Sequence, residues 1–311
     1  MTDRVGQLID DILAGPAGLN RVLAAYDALG SPLAQAMPAI LGRSRFAFTG
    51  LGSSRYAASI AATVLRAAGS SAWVEYASTG TPTAPADDLV FVAVSASGRT
   101  PEVVAAARRH RGQSLVVAVT NEPGSALASE ADHVLPLHAG LEASGIATRT
   151  FRGTVAVLAM LVGQTPASLA SAIADLAVAI ERSGQWLPEM ADAFDGAAAI
   201  DVLADAAILG LAEQAALMLR EAPRLPAGAH DTGDWLHTAV YLALPGHRAL
   251  LFPGAAADAE VIDTIERRGG VVVPMPSAAP EADPLRRAIV ESVTSELLAA
   301  ELWRRTSAEL L

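Results

Sequence analysis

Between residues 46 and 137, five short apolar runs alternate with stretches of helical character, and this alternation is the strongest constraint on the fold. The runs are Phe46-Ala-Phe-Thr-Gly, Trp73-Val-Glu-Tyr, Leu89-Val-Phe-Val-Ala-Val, Leu115-Val-Val-Ala-Val and His133-Val-Leu-Pro-Leu. Helical stretches lie between several of them, notably 54–68 and 100–111. Continuous β-branched runs alternating with helices predict a parallel sheet covered on both faces. Before it, residues 3–42 predict two or three amphipathic helices, with Leu8, Ile12, Leu19, Val22 and Leu23 near helical spacing. Gly15-Pro16 and Gly30-Ser31-Pro32 punctuate them. Residues 150–185 read as mostly helical, with a break at Thr165-Pro166. A second, thinner copy of the pattern follows. Its strand candidates are Ala206 to Leu211, Arg248 to Phe252 and Val271 to Met275, with helices near 212–222, 256–268 and 284–305. The expected organisation is N-terminal helices over 1–40, a first α/β subdomain over 41–165, connecting helices over 166–198 and a second, divergent subdomain over 199–311.

Composition removes several chemistries. The chain has 311 residues and no Cys, which leaves no disulfide, thiolate nucleophile or Cys-ligated metal. All 22 basic residues are Arg. Without a Lys amine, the chain offers no Schiff-base or pyridoxal phosphate chemistry and no Walker-type phosphate loop. A net charge of -11 argues against a nucleic-acid partner. Mean hydropathy is +0.35, yet the longest apolar runs fall well short of the roughly 20 residues of a spanning helix. Met1-Thr2-Asp3-Arg4 leads into no continuous apolar segment, so no targeting peptide is expected. The expectation is a cytoplasmic protein without a membrane partner.

Two strand ends carry the chemistry. The first is Gly50-Leu51-Gly52-Ser53-Ser54-Arg55; the second is Ser95-Ala96-Ser97-Gly98-Arg99-Thr100-Pro101-Glu102. Each places Gly and small hydroxyl residues where a buried strand turns into a helix N-terminus. Such a turn exposes unpaired N–H groups at the positive end of the helix dipole. Gly lets an anion approach the backbone, and Ser and Thr add donors. Pro101 suits a first helical turn. Either loop alone reads equally well as a helix cap; two in neighbouring units point to a phosphate-sized anion. Gly50-x-Gly52 with Glu75 further on also suggests a dinucleotide loop, but Arg55 stands where that motif has its third Gly, and the second loop has no role in it.

At these residues the chain resembles the SIS (sugar isomerase) family. Gly52-Ser53-Ser54 is similar to its first phosphate loop, and Ser95-Ala96-Ser97-Gly98-Arg99-Thr100 to its second. Asn121-Glu122-Pro123-Gly124-Ser125, Ala131-Asp132 and Glu142-Ala143-Ser144-Gly145-Ile146-Ala147-Thr148-Arg149 match later signatures in order. Leu219-Arg220-Glu221 resembles a segment whose Glu is the enolisation base. Gly233-Asp234-Trp235-Leu236-His237 resembles one whose His assists ring opening from the neighbouring subunit. The resemblance implies two SIS subdomains, a homodimer and a sugar phosphate ligand held by Gly52, Ser53, Ser54, Ser95, Ser97, Gly98 and Thr100. It implies no cofactor.

The chain also departs from the family. The C-terminal catalytic Lys is absent, as is the tail segment after Arg304-Arg305. The Gly-rich loop after the first strand of the second subdomain is missing around Gly210-Leu211. Ala96 replaces Gln, Arg149 replaces Lys, and Thr238 follows His237 where Gly-Pro is usual. Phosphate binding survives these changes better than the full chemistry does.

Aldose–ketose isomerisation needs one base to move a proton between C1 and C2. Glu221 is the candidate; its other reading is a solvated carboxylate beside Arg220 and Arg224. His237 is the candidate for ring opening, against a surface or capping role. Arg55 and Arg99 flank the anion loops and read as solvated cations or as charges that offset the acidic net charge near the ligand, Trp235 as either a pocket wall or core, and Glu142 as a hydrogen-bonding group of the sugar site. His230 and His237 are too loosely spaced for a metal, and none is expected. Two functions remain: a phosphosugar isomerase (or related deaminase or deglycase), and a noncatalytic sugar-phosphate sensor that keeps the first loops and has no use for Glu221.

Overall fold

The computed structural model describes residues 2–28, 30–276 and 279–308. Met1 and the terminal Glu309, Leu310 and Leu311 lie outside the described residues. Three helices come first: α1 (Thr2–Leu13), α2 (Gly15–Asp27) and α3 (Pro32–Ile40). Then follow β1 (Arg45–Gly50), α4 (Ser53–Ala67), β2 (Ser71–Tyr76), β3 (Leu89–Val94), α5 (Pro101–His110), β4 (Leu115–Thr120) and β5 (His133–Pro136). Helices α6 (Arg149–Leu161), α7 (Pro166–Glu181) and α8 (Leu187–Phe194) lead to β6 (Ile200–Ala204), α9 (Leu209–Glu221), β7 (Ala227–Asp231) and α10 (Thr232–Trp235). The chain continues through β8 (Arg248–Leu251), α11 (Asp258–Arg267) and β9 (Val271–Pro274) to α12 (Pro284–Ala308).

These elements pack as two units. The first comprises residues 17–141 and 149–171; the second comprises 1–16, 142–148 and 172–311. The first holds a five-stranded parallel sheet in the order β2-β1-β3-β4-β5. Every residue of β3 is buried, and strand periodicity divides them between two faces. Leu89, Phe91 and Ala93 meet Ala47, Val116, Ala118 and the α5 residues Val103, Ala106 and Ala107. The alternate residues Val90, Val92 and Val94 are also buried, which explains the unbroken apolar run. Helix α4 packs on β1 and β2, and α6 packs on α4.

The second unit repeats the pattern with four parallel strands in the order β7-β6-β8-β9. Its core gathers Leu203, Trp235, Ala249, Leu251, Val261 and Ile265. Two expectations fail here. The run Ala206 to Leu211 is not a strand: it is a 3-10 turn passing into α9. The strand is Ile200–Ala204, all five residues buried. Asp201 disguises it, because that carboxylate is buried only through tertiary partners. Asp205 then accepts the Ala207 N–H at 2.8 Å and starts the helical turn, as an N-cap residue does. Strand β7 (Ala-Gly-Ala-His-Asp) was not anticipated, since its half-buried residues include none of the large β-formers. His230 therefore sits on a strand and not on a helix with His237. Among the described residues, no helix is long and apolar enough to cross a membrane.

Candidate functional site

The strand order of the first sheet reverses at β1 and β3. In an open parallel sheet, the crevice beyond the carboxyl ends of the strands at such a point receives ligands. Both loops singled out in the sequence open there. Gly52 precedes α4 with φ 52° and ψ -133°, and no side chain caps the helix. Thr100 precedes α5, again without a side-chain cap; its hydroxyl pairs with Ser95 Oγ at 3.0 Å. Ser97 is exposed and its Oγ accepts the Arg99 N–H at 3.2 Å. Two helix N-termini without side-chain caps thus open at this reversal, with small hydroxyls beside both, Arg55 in the first turn of α4, and Arg99 and Glu102 flanking the start of α5.

Gly98 holds the second loop in shape. Its φ is +61°, and a Cβ there would lie 2.0 Å from Ser125 Oγ. The loop is tied to its surroundings by Leu127 N–H on Gly98 O at 2.9 Å, Asn121 N–H on Ala96 O at 3.0 Å and Thr120 Oγ1 on Ala96 O at 3.2 Å. Ser125 belongs to the Asn121–Ser125 signature, but its packing under Gly98 comes from the fold and not from spacing. Asn121 Oδ1 accepts the Ala139 N–H at 3.1 Å, and Asp132 Oδ2 accepts the Val116 N–H at 2.8 Å, so both serve the scaffold.

Two cations near these loops have defined places. The Arg55 guanidinium lies over the Tyr56 and Tyr76 rings, 4.9 and 4.5 Å from their centroids. Arg99 is exposed. Glu75, the acid of the dinucleotide reading, instead accepts the Thr83 N–H and Oγ1–H at 2.9 and 2.6 Å.

The second sheet reverses at β6 and β8, and the equivalent loops are filled. Besides Asp205, Asp258 Oδ2 accepts the Gly254 and Ala255 N–H groups at 2.7 and 3.0 Å. Carboxylates of the chain itself stand where an anion would bind, and a phosphate would meet negative charge. Neither aspartate was singled out from the sequence, because an Asp at a helix start reads as an ordinary cap.

The catalytic candidates lie in the second unit. Glu221 ends α9 and remains accessible to solvent. The protein packed around its carboxyl holds it above the usual carboxylate range; Arg220 pulls it down, and the negative charge of Glu142 pushes it up. Arg220 also donates to Ala227 O at 2.8 Å. Glu142 Oε1 accepts the Thr148 N–H and, at 3.0 Å, its Oγ1–H. His237 follows α10 and is exposed, as is Thr238. Trp235 is fully buried and donates through Nε1 to Asp201 Oδ2 at 2.8 Å; it is core.

Around Asp201 the sequence hid a buried cluster. His230 Nε2 lies 3.5 Å from one carboxylate oxygen and His247 Nε2 3.4 Å from the other. Burial would raise the Asp201 carboxyl, but its hydrogen bonds to His230 and Trp235, with the His charges, hold it below the usual range. Burial pushes the His247 imidazole down. Among the described residues, no group of three or more His, Cys, Asp or Glu is arranged to hold a metal ion. A cavity of about 450 Å³ in this unit, lined by Arg182, Trp186, Arg286 and Arg287 among others, contains none of the residues singled out from the sequence.

Residues 40–163 match the SIS domain family model. A glutamine–fructose-6-phosphate aminotransferase (isomerizing) from Pyrobaculum aerophilum is 32% identical over 231 residues, covering 68% of this chain and 38% of that protein. The chain spans 29% to 38% of the length of the first curated relatives it matches. Among solved structures, the C-terminal domain of glucosamine-fructose-6-phosphate aminotransferase from Francisella tularensis superposes with a TM-score of 0.76 at 17% identity, covering 94% of this chain and 95% of that one. Tagatose-6-phosphate ketose/aldose isomerase from Escherichia coli superposes at 0.77 with 17% identity, covering 96% and 93%. At these identities the two structures establish the fold alone.

Proposed function

We propose, from the premise that this chain is an SIS-domain protein, that it binds a sugar phosphate and isomerises it between aldose and ketose forms. The observation that carries the reading is the first sheet's order reversal, where two helix N-termini without side-chain caps open beside Gly52, Ser53, Ser54, Ser95, Ser97, Gly98 and Thr100. These residues hold the phosphate. The name of the Pyrobaculum relative, which concerns fructose 6-phosphate, supports a phosphorylated sugar as the ligand.

Glu221 takes the proton from C2 of the open aldose and returns it to C1 through an enediolate. A raised carboxyl pKa suits this exchange, because the group must both accept and release the proton near neutrality. His237 opens the ring from the neighbouring subunit of a homodimer. Beside it Tyr241, Leu242 and Leu244 are 74%, 64% and 62% exposed, an apolar surface that supports self-association. With no Lys, no Schiff base to the protein forms. A sugar phosphate carries charge and does not cross a bilayer unaided, so the protein works in the cytoplasm.

The test has two stages. Fructose 6-phosphate, glucosamine 6-phosphate and free fructose are compared by thermal shift. A ligand at about 100 times its Kd adds ~2.7 kcal/mol of stability. Stabilisation is expected from the phosphates only, with one ligand per chain, and is lost when Ser97→Ala and Thr100→Ala are combined. The stabilising ligand is then followed in D2O for exchange at C1 and C2. Glu221→Gln is expected to slow exchange by about 10²–10⁴-fold while binding persists. Tight binding without exchange in the unmodified protein would make it a sensor and end the isomerase reading.

A further inference from the structure

The loop of residues 142–148 contains no helix or strand, yet it is tied down at both ends. At one end stands Asp11 of α1, buried at 4% exposure. Its Oδ1 accepts the Ala143 N–H at 3.3 Å, and its Oδ2 accepts the Ser144 N–H at 2.9 Å and the Ser144 hydroxyl at 2.8 Å. Arg4, two turns earlier on the same helix, donates to Ser144 O at 3.0 Å. Toward the other end, Gln214 of α9 donates to Ala147 O at 3.0 Å. Gln214 and Glu221 are seven residues apart, two turns along one face of that helix. The first residue of the loop is Glu142, whose carboxylate folds back onto Thr148.

We propose that Asp11 is a positioning residue: from helix α1 it staples the 142–148 loop and thereby holds Glu142 on the side of α9 that carries Gln214 and Glu221. A loop this short, without internal secondary structure, leaves its first side chain free to wander unless its backbone is fixed. An ionised carboxylate accepting three hydrogen bonds is a strong way to fix it, since such bonds are shorter and stronger than neutral ones. The two charges acting on Glu221 are Arg220, on its own helix, and Glu142, on the loop. Arg220 belongs to α9 itself, whereas Glu142 belongs to the loop. The catalytic meaning of this arrangement rests on the reading of Glu221 as the base; the positioning itself does not.

The test needs no substrate. The full chain, carrying glutamate labelled with ¹³C at the carboxyl, is titrated by NMR, with Glu221 assigned from Glu221→Gln. Asp11→Ala is expected to lower the Glu221 midpoint toward the ordinary carboxylate range, by as much as Glu142→Gln does. In the Glu142→Gln background, Asp11→Ala should add no further shift. A shift that persists there would be a direct charge effect and would overturn the proposal. So would an unchanged midpoint with a lower Tm, the mark of a purely structural residue. If Asp11→Ala does not fold, the isosteric Asp11→Asn and the distal Arg4→Gln read the same midpoint, and no movement in either overturns it. If the midpoint moves as expected while no sugar phosphate undergoes exchange, the positioning stands and the isomerase reading falls.

Discussion

Gly98 is where one residue type decides whether the candidate anion loop can exist. Its left-handed backbone and the 2.0 Å approach of Ser125 Oγ to an added Cβ leave no relaxed place for a side chain. Gly98→Ala should therefore destabilise the chain by ~1–3 kcal/mol in urea melts and abolish stabilisation by fructose 6-phosphate. Retained binding would mean that the loop tolerates another shape. The need for Gly was legible as a motif, but the atom that enforces it was not, because Ser125 lies beyond the next strand and only folding brings it under Gly98. Glu221 illustrates the same divide. Its position came from resemblance, whereas its raised pKa comes first from the protein packed around its carboxyl and then from the charge of Glu142, some eighty residues away in the chain.

Among elements, the four strands of the second sheet repeat the order of the first four in the five-stranded sheet, with opposite treatments of the switch points. Helices after the first sheet's switch-point strands start without a side-chain cap; the loops at the second are closed by Asp205 and Asp258. Asp258→Ala should free two N–H groups and cost about 1 kcal/mol by chemical denaturation, with the affinity for fructose 6-phosphate unchanged in calorimetry. A changed affinity would contradict a single site at the first sheet. The first sheet was legible because its central strands β1, β3 and β4 are buried on both faces and so read as nearly continuous apolar runs. In the second sheet, β6 carries a buried Asp and β7 is short, half-buried and at the edge. Their identity depends on partners from other elements, so local periodicity misplaced one and missed the other.

For the molecule as a whole, buried imidazoles set the response to acid. His110 is fully buried, stacked on Phe91 at 3.7 Å, with Nδ1 3.1 Å from Ser114 Oγ. Burial pushes its pKa down, as it does that of His247. The unfolded chain takes up these protons near pH 6.5 and the folded one resists, so stability is full above that pH and falls as pH drops below it. Urea midpoints should decline from pH 7.5 to 5.5, and His110→Gln should flatten the decline while lowering stability at pH 7.5. An unchanged slope in that variant would assign the acid response to other groups. By itself, the sequence determined the α/β class, the first sheet and the place of its two Gly-Ser turns at helix starts, because continuous apolar runs and Gly-Ser turns act through neighbours in the chain. Only the tertiary structure decided that the second sheet's loops are filled, that Trp235 is core and that the Glu142 loop is held by Asp11 and Gln214. Each of these depends on charges and packing between residues far apart in sequence, and no local pattern records such distances.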